Sequence, residues 1–242
     1  MCGLLALALA LKAASTPAEE PTFCGEKPTS SAQGLSIGRT NQGEILGAKE
    51  LKSNEAIRTL PLRHARRCLH WGTPRLVATL QRAAEAVRQS SPGSPPLGVG
   101  NLSRARGGPI HPYSRSHQAG RDADLAFYQL DEKDKPIPAE DLLSFDERGH
   151  ADSGKRRFDT RRNWLLVRAL LEDKEVDVQW IFISLPLRQT LLEEARRLKE
   201  PAWLLERAER VLHQPTDSSP HDDHFHLRIR CTPEERSAGC VG

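Results

Sequence analysis

The chain has 242 residues, enough for one sizeable domain or two small ones with a buried core. At 38% hydrophobic and 28% charged it is composed like a folded protein, which excludes disorder as its general state. Thirty-five Lys and Arg against 32 Asp and Glu leave a net +3, too mild a balance to recruit nucleic acid by charge alone.

In chain order, the first feature is an apolar run from Cys2 to Leu11. It is too short to cross a bilayer as a helix and matches the core of a secretory signal. Ala13 and Ser15 are the small residues that cleavage after Ser15 requires, and cleavage after Ala18 is a second option. No Lys or Arg precedes the run, and a buried N-terminal helix is the competing reading. Residues 16–35, rich in Pro, Ser, Thr and Glu, read as a mobile leader, which leaves 36–242 as the folded domain. Cys2 lacks the surroundings of a lipoprotein site, so no lipid anchor is expected.

Removal of the signal leaves Cys24, Cys68, Cys231 and Cys240, an even set that suits disulfides in an exported protein. No Cys-x-x-Cys pair exists, which argues against a structural zinc ribbon. The expected pairing is Cys231–Cys240, closing a short loop, with Cys24–Cys68 as the remainder.

The stretch 73–89 opens with Thr73 as a helix cap and Pro74 at the first helical position. Leu76, Val77, Leu80, Ala84 and Val87 then fall on one face. Residues 90–116 carry too much Pro and Gly for a helix, although "LGVGNL" suits a short strand before a long loop. A strand is expected at 122–129 and a helix from about Thr160 to Glu172. The clearest strand is "VDVQWIFIS" (176–184), whose apolar centre suggests burial on both faces. Two helices follow, at 187–199 and 201–212, and "HFHLRIRC" (224–231) alternates as a strand. The arginine clusters at 63–68, 155–162 and 193–199 read as solvated helix faces. Helices and strands mix without regular alternation. The fold class is therefore α+β: one domain with a central, mainly antiparallel sheet, flanking helices and long loops.

Chemistry concentrates in "SHQAGRDAD" (116–124) and "HDDHFHLRIRC" (221–231), which hold His117, Asp124, His221, His224 and His226, five acids and imidazoles in a chain with nine histidines. On a strand, His224 and His226 share a face, roughly 6.6 Å apart along the chain at ~3.3 Å per residue, while Phe225 points into the core. Either one of them holds a metal with the other beside it, or both ligate. A turn at Gly120 followed by a strand brings His117 and Asp124 together. Two imidazoles and one carboxylate make the open ligand set of a catalytic zinc.

These motifs resemble those of the penicillin-insensitive murein endopeptidases. That family belongs to the zinc superfamily of lysostaphin-type peptidases, D-Ala-D-Ala peptidases and hedgehog domains, marked by His-x6-Asp followed by His-x-His. The resemblance spans most of the mature chain, with "SIGRTNQGEILGAKEL" (36–51) similar to the family's opening segment. It implies that His117, Asp124 and His226 bind zinc and that His224 is the base acting on water. It further implies that His221 orients or stabilises the transition state. Relatives can carry a further histidine three residues before the first ligand, where this chain has Ser114, so one zinc per chain is expected. The implied reaction is hydrolysis of D-alanyl–diaminopimelate cross-links in peptidoglycan, without an acyl-serine for penicillin to trap, in the periplasm or outside the cell. Two rivals remain. One is a zinc D,D- or L,D-carboxypeptidase, with Arg115 or Arg121 gripping a terminal carboxylate. The other is a non-catalytic zinc-containing cell-wall binding protein.

Overall fold

The computed structural model describes residues 20–31, 33–61 and 63–242, so the expected signal segment lies outside the described residues. A hairpin of β1 (Leu35–Arg39) and β2 (Gln42–Leu46) precedes the short β3 (Lys49–Glu50) and β4 (Ile57–Thr59). Helix α1 (Arg63–Arg67), β5 (Trp71–Gly72) and α2 (Pro74–Ser90) come next. Strand β6 (Leu97–Val99) then leads through a long loop to β7 (Asp122–Ala126). Four short strands, β8 (Gln129–Leu130), β9 (Pro136–Ile137), β10 (His150–Ala151) and β11 (Arg156–Phe158), make a small side sheet. The rest comprises α3 (Thr160–Glu172), β12 (Val178–Phe182), α4 (Leu185–Arg197), α5 (Ala202–Val211), β13 (Leu212–His213), β14 (His224–Ile229) and α6 (Pro233–Ser237).

The central sheet has six strands in the order β13-β12-β14-β7-β6-β4. Its outer pairs are parallel and its three inner pairs antiparallel, so the α+β, mainly antiparallel class is the one observed. The period of two along each strand divides the sheet into two unlike faces. One carries Leu97, Val99, Ala123, Leu125, Ile181, Phe225, Leu227 and Ile229, all buried in one core with α2, α3, α4 and α5. The helices contribute Leu76, Leu80, Trp164, Val167, Leu191 and Leu204. Each such side chain adds ~1.5–3 kcal/mol by leaving water. Trp164 is fully buried and its indole N–H donates to Glu200 at 2.9 Å.

Local chemistry explains the helix starts. The Thr73 hydroxyl accepts the N–H of Leu76 and Pro74 fills the first turn of α2, while Asp159 accepts from the Arg162 N–H at the start of α3. Boundaries moved where Pro sits. Helix α4 begins at Leu185 rather than 187 because Pro186 suits a first turn, and Pro201 caps α5 rather than entering it.

Two readings are corrected. Strand β12 is buried on one face only: Ile181 lies in the core, but Trp180 and Phe182 are half-exposed on the other face. The cluster at 63–68 is not a solvated face, since His64 and Arg67 of α1 are buried.

Both expected disulfides are present, Cys24–Cys68 and Cys231–Cys240. Within the segment read as a leader, the Phe23 N–H donates to the Arg67 carbonyl at 3.1 Å, and Glu26 pairs with Arg104. Among the described residues, no helix is long and apolar enough to cross a membrane.

Candidate metal centre

The second face of the sheet is where the polar residues collect. In the β7–β14 register, His226 stands opposite Asp124 and Arg228 opposite Asp122, while Phe225 and Leu227 face Leu125 and Ala123 on the core side. Five chemistry-bearing side chains (Asp122, Asp124, His224, His226 and Arg228) thus share one face by strand parity alone. His117 joins them from the preceding loop. Its φ is +64°, a left-handed conformation that costs roughly 1–3 kcal/mol in a non-glycine residue. The loop is held there by the Asp122 carboxylate, which accepts the His117 N–H at 3.1 Å, and by the Ser103 hydroxyl, which donates to the His117 carbonyl. His221 is also left-handed, at φ +56°.

Asp124 is the focus of the cluster. Its Oδ1 lies 3.1 Å from His117 Nε2, 3.2 Å from His224 Nε2 and 3.4 Å from His226 Nδ1. It is buried and none of these nitrogens gives it a hydrogen bond of proper geometry. A buried carboxylate oxygen ringed by imidazole nitrogens and left without a donor is arranged for a cation rather than for its neighbours. Two overlapping buried groups can hold a metal: His117, Asp124 and His226, and His221, His224 and His226. The first contains the anion that a divalent ion needs; the second is three neutral or cationic rings. The donor set of the first fits zinc.

Two acids that sequence reading missed stand behind the rings of the histidine pair, only the first within hydrogen-bond distance. Asp223 Oδ1 sits 2.6 Å from His224 Nδ1, and Asp122 Oδ2 lies 3.6 Å from His226 Nε2. Asp122 also takes two bonds from Arg228, at 2.7 and 3.0 Å. The signal was available: Asp122 and Arg228 continue the parity of Asp124 and His226.

Charge follows from this packing. Burial opposes ionisation of Asp122 and Asp124, but Arg228 beside the first, and His117 and His224 beside the second, hold both carboxyls well below their usual range. For His224, burial works against the proton, yet Asp124 and Asp223 raise its pKa to about 10. His221 moves the other way. Burial and the neighbouring His224 and His226 lower it to about 4, so its ring is neutral at pH 7. Its Nδ1 lies 2.8 Å from the Ser219 carbonyl.

The cluster opens into a cavity of about 620 Å³, bounded also by Arg39, Arg115, Phe182 and Ser219. His224 is the most exposed of the site histidines, with 12% of its side chain exposed. The two arginines singled out in the sequence differ. Arg121 is buried and donates to Ser36 Oγ, the Ile229 carbonyl and the Val241 carbonyl, so three of its five N–H groups clasp the segment around Val241. Arg115 is exposed at the cavity.

Two comparisons with known proteins give matches. A family model described as penicillin-insensitive murein endopeptidase matches residues 36–241. A penicillin-insensitive murein endopeptidase of Haemophilus influenzae is 25% identical over 211 residues, 84% of this chain and 66% of that protein, just under two thirds of the relative's length.

Proposed function

Since the chain belongs to the penicillin-insensitive murein endopeptidase family, we propose that it is a zinc peptidase hydrolysing D-alanyl–diaminopimelate cross-links of peptidoglycan, in the periplasm or outside the cell. The observation that carries this reading is Asp124 Oδ1, buried, without a hydrogen-bond donor, and 3.1–3.4 Å from three imidazole nitrogens at the base of an open cavity. His117 Nε2, Asp124 Oδ1 and His226 Nδ1 would hold one zinc ion. When bound, zinc supplies Lewis-acid chemistry, polarising a scissile carbonyl and making water nucleophilic near neutral pH.

The protein's own groups do the rest. Asp223 accepts the His224 Nδ1–H, which leaves Nε2, 3.2 Å from Asp124 Oδ1, as the proton acceptor. With its charge met by a metal, the Asp124 carboxylate would no longer favour a proton on His224, whose ring would then take the neutral form a base requires. His224 Nε2 then takes a proton from the attacking water and delivers it to the leaving amine. His221, neutral at pH 7, stands beside it with ring centroids 5.1 Å apart; its Nδ1–H is given to the Ser219 carbonyl, so its Nε2 is an acceptor that orients the water or a substrate N–H. No serine is acylated on this path, so a β-lactam has nothing to trap.

Arg115 keeps a second reading alive. A cation at the mouth of the cavity suits a free substrate carboxylate, which a carboxypeptidase also requires. Digestion of purified sacculi separates the readings. Cross-linked dimers falling to monomers with the stem peptides otherwise intact is the expected result. Release of terminal D-alanine alone makes the protein a carboxypeptidase, and no release at all with zinc bound makes it a binding protein.

A further inference from the structure

Asp124 has two carboxylate oxygens, and only Oδ1 faces the histidines. Its Oδ2 is held from behind by Asn101, whose Nδ2 donates to it at 3.3 Å. A carboxylate only accepts, so the atom of Asn101 facing Asp124 is the amide nitrogen and its Oδ1 points away. That oxygen accepts from Arg67 Nη1 at 3.4 Å and lies 3.2 Å from His64 Nδ1, which donates to it in the tautomer carrying its N–H there. On the far side of its ring, His64 Nε2 lies 3.1 Å from Asp141 Oδ1, near the surface. Asn101, His64 and Arg67 are 5%, 3% and 8% exposed, so water does not substitute for these bonds.

The backbone fixes the same arrangement. The Gly100 N–H donates to the Asp124 carbonyl at 2.8 Å, and the Asp124 N–H donates to the Asn101 carbonyl at 2.9 Å, extending the β6–β7 pairing past the end of β6. Gly100 is the residue that lets His64 come so close: a Cβ there would stand 3.3 Å from both the His64 ring and Asp124 Cβ. Asn101, His64, Arg67 and Gly100 do not line the cavity.

We propose that Asn101, oriented by His64 and Arg67, is a positioning residue for the metal centre: it locks Asp124 Oδ2 so that Oδ1 alone is offered to the ion. The inference rests on the zinc reading above. Partners that orient a ligand in this way are worth about 10–100-fold in metal affinity.

The test is the affinity of the full chain for Zn²⁺ alone, by competition with a chromophoric chelator, with Co²⁺ absorption as a second readout of ligand geometry. Asn101→Ala should weaken zinc binding about 10–100-fold and alter the Co²⁺ bands. His64 gives an independent pair of variants. His64→Asn keeps an N–H donor at the δ position and should stay close to wild type, whereas His64→Gln moves the donor to the ε position and should bind several-fold more weakly. Wild-type zinc affinity in Asn101→Ala, or identical affinities for the two His64 variants, overturns the proposal. If the wild-type chain itself binds neither Zn²⁺ nor Co²⁺, the metal reading falls and takes this one with it.

Discussion

His224 and His226 stand two apart on one strand, yet their backing differs. Asp223 lies in hydrogen-bond contact with His224 Nδ1, whereas Asp122 backs His226 Nε2 from 3.6 Å. The first ring is partly exposed to the cavity and the second is buried, which is why the first is assigned the proton and the second the metal. His224→Ala should therefore keep its zinc while turnover falls by about 10²–10⁴, with KM changing far less because proton transfer belongs to the transition state. Zinc content and muropeptide turnover on one preparation decide it; joint loss of metal and activity would make His224 a ligand. Asp122 supplies a second prediction at this scale. Its folded-state pKa is depressed relative to the unfolded chain, because Arg228 outweighs burial. The stabilisation it gives is complete above the unfolded carboxyl pKa of about 3.9 and is lost as pH falls through the folded value. Removing one partner of a buried pair costs about 3–5 kcal/mol. Asp122→Asn should thus lose that much at pH 7 in chelator-treated protein, and the gap to wild type should narrow at pH 3. Urea unfolding at the two pH values measures it, and an equal gap at both would show that Asp122 is not ionised by Arg228.

Elements with a strong period and a chemical boundary were legible in the sequence. Helix α2 showed Thr73, Pro74 and a spaced apolar face, and β14 showed its alternation, so both appeared at nearly their observed limits. The two disulfides are one of the three pairings that four cysteines allow, the one in which Cys231 and Cys240 close a short loop. What stayed hidden depends on distant pairing. The faces of β12 cannot be told apart locally, because Trp180 and Phe182 are as apolar as Ile181; only pairing with Arg228 and His226 puts them on the open side. Helix α1 is five residues long and buries His64 and Arg67 against Asn101, a partner 34–37 residues away that no local pattern reveals. The metal-facing side of the site was visible as a spacing motif, while Asn101, His64 and Asp223 were not. The disulfide at the end of β14 gives a test at this scale. Cys231 and Cys240 are nine residues apart, and closing so short a loop is worth about 2–3 kcal/mol. Replacing both by Ser should lower the melting temperature by roughly 4–12 °C. An unchanged melting curve would mean that the Arg121 clasp on the Val241 carbonyl already holds this end in place.

Across the whole molecule, the proposed ligands come from two segments about a hundred residues apart in sequence, joined through the pairing of β7 with β14. Asp124 and the three imidazoles around it lie in a buried space where three of their polar atoms find no protein partner: Asp124 Oδ1, His117 Nδ1 and His226 Nε2. Such a centre weakens the empty fold and strengthens the filled one, so a bound ion should act as a stabilising cross-link between β7 and β14. An ion that binds only the folded state adds ~2.7 kcal/mol at a free concentration of one hundred times its Kd. For a chain of this size that is a rise of roughly 5–11 °C in melting temperature. Zinc added to chelator-treated protein should produce this shift, and magnesium should not, because two of the three ligands are imidazoles. Asp124→Ala removes the anion that holds the charge of the ion, so the zinc-dependent shift should vanish in that variant even if its empty form melts no lower than wild type. A full zinc shift surviving in Asp124→Ala would move the metal to the rival group of His221, His224 and His226, and the base would then have to be sought elsewhere in the cavity.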